Sequence, residues 1–583
     1  MSSFLTSAVA KLNPFAKRER DEDDHGEQLE AGSIAGGGHA SRVSHITRKE
    51  LRVSHALKAY LVNAKILGPQ DVDLNDPQAE NSGALKEMLD NPHIQVPKEI
   101  TGRGRPLTEY FISSSHNTYL LAGQLYGSSS AVAYETALKA GSRCVEIDAW
   151  DNSEDPDEPK VTHGWTLASR IAFRAVCETI RDAVDNEASQ PQQTGYAPAP
   201  ILISLENHCG EHGQLRLSQI MREVWGNRLL SKEVRDEGAR EQNESGKHVD
   251  LIELGSKIAV IVEYHLPDEA ESDTSDDEGE DEQARMDLEK WRQEKKESPK
   301  GMIIPELAEL GVYAQSVKPT NQSWFDPGEL QNGPRHHLIN VSESGLLGLN
   351  LELNGSRIST HNAKHLMRVY PKGTRISSRN LNPVPFWGVG AQICALNWQT
   401  FDASMQLNEA LFAGSDGYVL KPAALRAGGS GKLDSGKKKH LRVHIAGATD
   451  VPVPKQRDAD DEIKPYVTCT LVHPDDVGNT PPKRKTSGYK QHKLGLVHKG
   501  EQPPPTDPIW NEHLDWDYAE NELVFLRILI KSDDKFARNP VQCVAAVRLL
   551  YVRSGEWVFV RMLDLKGKET HCTVLLKFEI TDA

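Results

Sequence analysis

The chain has few cysteines and no paired ones. Seven are scattered along 583 residues as Cys144, Cys177, Cys209, Cys394, Cys469, Cys543 and Cys572. The number is odd and no CxxC spacing occurs, so neither a disulfide framework nor a thiolate zinc site is expected, and the compartment is expected to be reducing. Long apolar runs are missing too. No stretch approaches the roughly 18 residues that span a bilayer, and the first residues lack the charge, apolar run and cleavage site of a secretory leader. Membrane contact is therefore expected to be peripheral. Lysine-rich patches carry no interleaved aromatics, which removes the case for nucleic acid. Gly388-x-Gly390 has no third glycine and precedes a strand pattern, so it is not a dinucleotide fingerprint.

What is present is a multidomain length and a concentrated charge. A chain of 583 residues exceeds what one core supports, so two or three domains are expected. The formal charge of −16 comes largely from a carboxylate run between Asp268 and Glu282 that contains no Lys or Arg; without it the remainder carries about −6, an ordinary surface.

Residues 1–45 have the mixed charge and glycine content of a disordered tail. Phe4, Ala8, Leu12 and Phe15 fall at near-helical spacing there, but Pro14 interrupts them. Residues 46–100 read as a helical unit, with Ala56, Tyr60, Leu61, Ile66, Leu85 and Leu89 at helical spacing. Asp71, Asp73 and Asn75 imitate the start of an EF-hand loop, but Asp76 and Ser82 stand where Gly and a bidentate Glu are required, so a remnant without metal is expected.

From Glu109 onward short β-branched runs alternate with helical stretches, the texture of a parallel α/β architecture. A helix is expected between the third and fourth strands, with Leu167, Ile171, Val176, Ile180 and Val184 along one side and Thr166 as its cap. Five strands before the acidic insert (110–115, 144–150, 161–165, 201–208, 257–264) and three after it (336–344, 366–373, 391–400) make eight, the number that closes a TIM-type barrel. The expected division is an X half at 101–265, an acidic linker at 266–300, a Y half at 301–425, a Gly/Ser/Lys linker at 426–439 and an antiparallel β-sandwich at 440–583.

The candidate chemistry sits in His116-Asn117, Glu146-x-Asp148, His163 and Glu206-Asn207, each at the carboxyl end of an expected strand, where barrel active sites assemble. Period two puts Glu146 and Asp148 on one side of their strand. Three carboxylates and an amide oxygen form an all-oxygen set suited to calcium rather than zinc. Two histidines flanking such an ion suggest phosphoryl transfer.

At these residues the chain resembles the eukaryotic phosphoinositide-specific phospholipases C. The blocks EYFISSSHNTYL, GSRCVEIDAWD, VTHGWTL and ILISLENHC are similar to the X half, and LMRVYPKG, GAQICALNWQT and GYVLKP to the Y half. The resemblance implies an enzyme hydrolysing phosphoinositides to diacylglycerol and an inositol phosphate through a cyclic phosphate. One calcium ion is implied at Asn117, Glu146, Asp148 and Glu206, with Glu146 as base for the 2-hydroxyl, His116 steadying the phosphorane and His163 protonating the leaving oxygen. Ser342, Arg368 and Tyr370 match headgroup residues. The implied partners are anionic membrane lipids, as substrate and docking surface, and the implied location is cytoplasmic, peripheral to the inner face of membranes. A glycerophosphodiester phosphodiesterase and a phospholipase-like lipid-binding scaffold are the alternatives.

Departures from the pattern carry expectations of their own. Ile261 and Glu263 stand where two headgroup lysines are expected, which points toward less phosphorylated substrates. Thr374 replaces a rim tryptophan. Lys464, Ser532 and Pro540 occupy acidic positions of calcium-binding C2 loops, so calcium is not expected there; Lys483, Arg484, Lys485, Lys490 and Lys493, with Lys437 to Lys439, offer a basic alternative for anionic lipid.

Overall fold

The computed structural model describes residues 22–24, 29, 50–74, 81–120, 130–162, 171–190, 198–235, 248–266, 302–319, 322–325, 330, 332–371, 380–453, 463–477, 480–490, 502–533 and 540–583. Expectations resting on Phe4 to Phe15, Asn75, Asp76, His163, Thr166, Leu167, Thr374, Lys493 and the carboxylate run lie outside these residues.

Two short helices precede the barrel, α1 (His55–Asn63) and α2 (Gly83–Asp90). Serine caps both: Ser54 Oγ accepts from Leu57 N and Ser82 Oγ from Leu85 N, each satisfying an N–H that the helix start leaves unpaired. Ser82, unsuitable as a calcium ligand, thus has a structural role. Leu57, Leu61, Leu85 and Leu89 bury in one cluster with Ala446, Phe559 and Leu575 of the C-terminal domain. At about 2 kcal/mol per buried leucine, this docking is hydrophobic in origin, and Arg52 adds an ion pair to Asp507 at 2.6 Å.

Eight parallel strands follow: β1 (Tyr110–Ile112), β2 (Cys144–Trp150), β3 (Ile201–His208), β4 (Ile258–Glu263), β5 (Gln315–Val317), β6 (His337–Ser342), β7 (Leu366–Tyr370) and β8 (Ile393–Cys394). They pair in chain order, β8 pairs back to β1, and a parallel bridge from Ser114 to Cys144 joins β1 to β2 and closes the ring. The expected number is right but the division is four and four, not five and three. Lys160–Val161 pairs antiparallel with Ala149 and Trp150 at the end of β2 instead of entering the barrel. The missing stave is supplied by β5, whose three residues gave too short a pattern to stand out.

The helix α3 (Phe173–Ser189) also starts later than its apolar spacing suggested: Ile171 lies in a two-residue strand and Ala172 is the N-cap, without a side-chain bond. Val176, Ile180 and Val184 do bury along one face. Inside the barrel, Ile112, Cys144, Leu202, Ala259, Ile261, Leu338, Leu366 and Ile393 form one apolar cluster. Register places them on the same parity as Glu146, Asp148 and Glu206, so apolar layers fill the lower barrel and leave the polar layer at the carboxyl ends of the strands.

The C-terminal domain is an eight-stranded antiparallel sheet structure of β9 (Lys438–Thr449), β10 (Pro465–Val472), β11 (Lys483–Lys485), β12 (Ile509–Ala519), β13 (Phe525–Ser532), β14 (Val541–Arg548), β15 (Trp557–Leu563) and β16 (Glu569–Asp582), ordered β11-β10-β13-β14-β15-β16-β9-β12. It shares a continuous apolar core with the barrel: Trp387 and Phe525 rings lie 5.8 Å apart, and Arg527 Nε donates to Gln406 Oε1 at 2.6 Å. Within the stretch expected to be disordered, Glu22–Asp24 form a 3-10 turn on this seam, Asp24 Oδ1 accepting from Arg527 Nη1 at 2.7 Å and Asp23 Oδ2 pairing with Lys483 at 3.0 Å. Lys483 is thereby engaged within the chain. Among the described residues no helix is long and apolar enough to cross a membrane.

Candidate active site

The carboxyl ends of β2 and β3 run side by side in parallel register, with Asp148 opposite Glu206 and Glu146 opposite Ser204. The pleat turns Glu146 and Asp148 to the same interior face. Glu146, Asp148 and Glu206 consequently bring one oxygen each within 4.8 Å of the others. Glu146 and Asp148 are buried while Glu206 faces the mouth.

Asn117 follows the two-residue strand Ser115–His116, which pairs with Leu396–Asn397. Its φ of 48° is left-handed, a conformation that Asn tolerates better than most residues. The bend directs its N–H to Glu146 Oε2 at 2.7 Å. Tyr119 Oη lies 3.0 Å from both Asn117 Oδ1 and Asp148 Oδ2, linking the amide to the carboxylates. Burial, then the charge of Asp148, holds the Tyr119 hydroxyl well above its usual pKa, so it stays a donor.

His116 Nδ1 lies 2.9 Å from Asn397 Oδ1, and its Nε2 is 3.8 Å from Glu146 Oε2. A proton on Nδ1 donated to the amide leaves Nε2 available on the carboxylate side. His163 lies outside the described residues, so only one of the two expected histidines is placed beside the carboxylates.

Arg368 on β7 donates through Nη2 to Glu146 Oε1 at 2.6 Å and through Nη1 to Asn340 Oδ1 at 3.2 Å. Burial, the largest single influence, would lower its pKa, but the charges of Glu146 and its other acidic neighbours together turn the net shift upward. Tyr370 stands above it, the ring centroid 5.7 Å from the guanidinium carbon. Ser342 ends β6 and caps the following turn, accepting from Gly345 N. All three expected headgroup residues are on adjacent strands in one register, Asn340 opposite Arg368 and Ser342 opposite Tyr370.

The carboxylate cluster could hold a cation. Burial, reinforced by Glu206 and then Glu146, raises the Asp148 pKa well above the carboxylate range, and Asp148 Oδ1 is buried without a hydrogen-bond partner. Hard oxygens of this kind fit calcium. Glu263 ends β4, paired with Ser316 of β5; burial raises its pKa, with Lys318 opposing. Ile261 is 2% exposed and belongs to the apolar layer.

Sequence reasoning missed Tyr119, Asn397 and His208. His208 stacks on Trp150 at 4.1 Å and places Nε2 3.3 Å from Glu206 Oε1. Period-two spacing from Glu206 was the available signal for His208; the other two depend on contacts across the fold.

Known proteins give the same picture. Residues 103–264 match the phosphatidylinositol-specific phospholipase C X domain, 307–424 the Y domain and 439–553 the C2 domain. The 1-phosphatidylinositol 4,5-bisphosphate phosphodiesterase delta-4 of Xenopus laevis is 30% identical over 82% of this chain and 60% of its own length. The 1-phosphatidylinositol 4,5-bisphosphate phosphodiesterase 1 of Candida albicans is 27% identical over 86% of this chain and 50% of its own. The chain thus spans half to three fifths of these relatives. The crystal structure of L. pealei PLC21 covers 100% of this chain and 69% of that one at TM-score 0.66 and 21% identity, which shows a shared fold. With X, Y and C2 domains in order and the carboxylates gathered at the barrel mouth, the chain belongs to the phosphatidylinositol-specific phospholipase C family.

Proposed function

We propose that the chain is a calcium-dependent phosphoinositide phosphodiesterase releasing diacylglycerol and an inositol phosphate. The observation carrying this reading is the convergence of Glu146, Asp148 and Glu206 oxygens within 4.8 Å around the unpartnered Asp148 Oδ1, beside His116. Asn117, Glu146, Asp148 and Glu206 would hold one calcium ion, which when bound supplies Lewis-acid stabilisation of phosphoryl charge. Glu146, 2.7 Å from the Asn117 N–H, is oriented to take the proton of the inositol 2-hydroxyl. That oxygen attacks phosphorus, the diacylglycerol oxygen leaves with a proton from His163, and water opens the cyclic phosphate. His116 steadies the phosphorane. The role of His163 rests on its match to the family block.

Ser342, Arg368 and Tyr370 would bind the headgroup. A carboxylate at Glu263 and an aliphatic at Ile261 disfavour extra ring phosphates, so preference shifts toward less phosphorylated phosphoinositides. The division of the chain at 101–265, 301–425 and 440–583 is part of the same reading, as are peripheral attachment to cytoplasmic leaflets and calcium-independent docking of the C2 domain. Release of water-soluble inositol phosphate from phosphatidylinositol and bisphosphate vesicles, by wild type and His163→Ala, tests the proposal. Wild-type release that chelation stops and the variant lacks supports it; equal release by both refutes the assigned chemistry.

A further inference from the structure

The opposite end of the barrel holds a second cluster of metal-ligating side chains. His337 opens β6, whose far end is Ser342. The helix α4 (Leu351–Asn362) carries His361 in its last turn, and His365 follows one turn later, its N–H donating to His361 O at 3.0 Å. This His-x3-His spacing on a continued helical turn puts both imidazoles on one face. His337 and His361 are 8% and 9% exposed.

The hydrogen bonds around this pair do not close with neutral rings. His337 Nδ1 faces Pro334 O at 3.3 Å and His361 Nδ1 faces Asn362 Oδ1 at 3.0 Å, while the two Nε2 atoms face each other at 2.9 Å. The Asn362 amide cannot be reversed, because its Nδ2 donates to Val389 O at 2.9 Å. If each Nδ1 donates to the oxygen it faces, both Nδ1 atoms carry protons. A neutral imidazole has only one proton, so two lone pairs meet at the Nε2 contact. Nδ1–H bonded to carbonyl oxygen with Nε2 bare is the arrangement that orients histidine toward a metal.

We propose that His337, His361 and His365 form a binding site for a transition-metal ion of the zinc class, separate from the carboxylate site. Two zinc–nitrogen bonds of about 2.0 to 2.1 Å meet at roughly a right angle across this gap, and opening it by a few tenths of an ångström reaches the tetrahedral angle. The His365 ring lies parallel to His337 at 3.8 Å and 4.9 Å from His361; rotation about its side-chain bonds would have to bring its nitrogen in as the third ligand. Burial holds His337 near 4 and His361 near 3, keeping both in the neutral form that ligates. Imidazole nitrogens select zinc, nickel or copper over calcium. The base of such a barrel serves stability, so the ion would clip the start of β6 to the end of α4.

The test uses the full chain, stripped by chelator, saturated with calcium to fill the carboxylates, and titrated calorimetrically with zinc. One zinc per chain is expected, undisturbed by excess calcium, with a shell of imidazole nitrogens in X-ray absorption at about 2.0 Å. Zinc should raise the melting temperature, and His365→Ala, at the more open position, should weaken binding at least tenfold. His361→Asn should abolish the site. The wild-type absorption spectrum decides the matter even where that buried variant does not fold. No zinc uptake, an all-oxygen shell, or affinity unchanged in His365→Ala would overturn the assignment.

Discussion

At the residue scale the active-site region is governed by Glu146. It accepts from the Asn117 N–H and from Arg368, and His116 stands nearby. Asp148 is the complementary case, buried with one oxygen unpartnered and a pKa raised by burial and by its neighbours' charge. A cation relieves both conditions. Asp148→Asn removes the charge while keeping the shape, so half-saturating calcium for hydrolysis should rise by at least 10-fold, the lower bound for disturbing a metal shell; an unchanged calcium requirement would remove Asp148 from the ligands.

A second residue-scale expectation concerns His248, fully within the barrel base and bonded through Nε2 to Tyr313 O at 3.1 Å. Burial lowers its pKa to about 4 from 6.5. Between those values the unfolded chain binds the extra proton, so stability is intact above pH 6.5 and falls as pH drops toward 4. From pH 6.5 to 5 the loss is about 2 kcal/mol. The urea midpoint of wild type should fall over that interval more than that of His248→Gln. Parallel midpoints would contradict the assignment.

At the scale of elements, alternation and order were legible in the sequence where strands are long. The runs Cys144–Trp150 and Ile201–His208 carry both a clean pattern and the three carboxylates that cluster, so the fold and the carboxylate cluster were visible together. Legibility failed where pairing, not pattern, decides. Val161 looks like a stave but pairs back on β2, and β5 is a stave despite three residues, because neighbours on both sides hold it. Tyr119 and Asn397 were invisible for the same reason: their partners, Asp148 and His116, are distant in sequence.

The strand β4 carries the specificity argument, since its interior positions are Ile261 and Glu263. Glu263→Lys should raise the rate on the 4,5-bisphosphate relative to phosphatidylinositol at least tenfold, about 1.4 kcal/mol. A wild type that already strongly prefers the bisphosphate in matched vesicles would refute the shift.

At the scale of the whole molecule, the barrel, the C-terminal sheets and the N-terminal helices share apolar cores across their boundaries. Near an anionic leaflet, the carboxylate run between the barrel halves would add a repulsion acting over a Debye length of about 8 Å. Removing 268–298, which spares the buried Leu266, should raise hydrolysis on anionic vesicles and lose that advantage in high salt; unchanged rates at low salt would make the insert a passive linker.

Calcium-dependent turnover remains the centre of the account. The most direct measurement is hydrolysis of inositol-lipid vesicles across a calcium titration by wild type and Glu206→Gln, a substitution at the mouth-facing carboxylate. Release is expected to vanish in chelator, return with calcium, and require more calcium in the variant. Intact lipid at millimolar calcium, or full activity in chelator, would contradict the metal-dependent site.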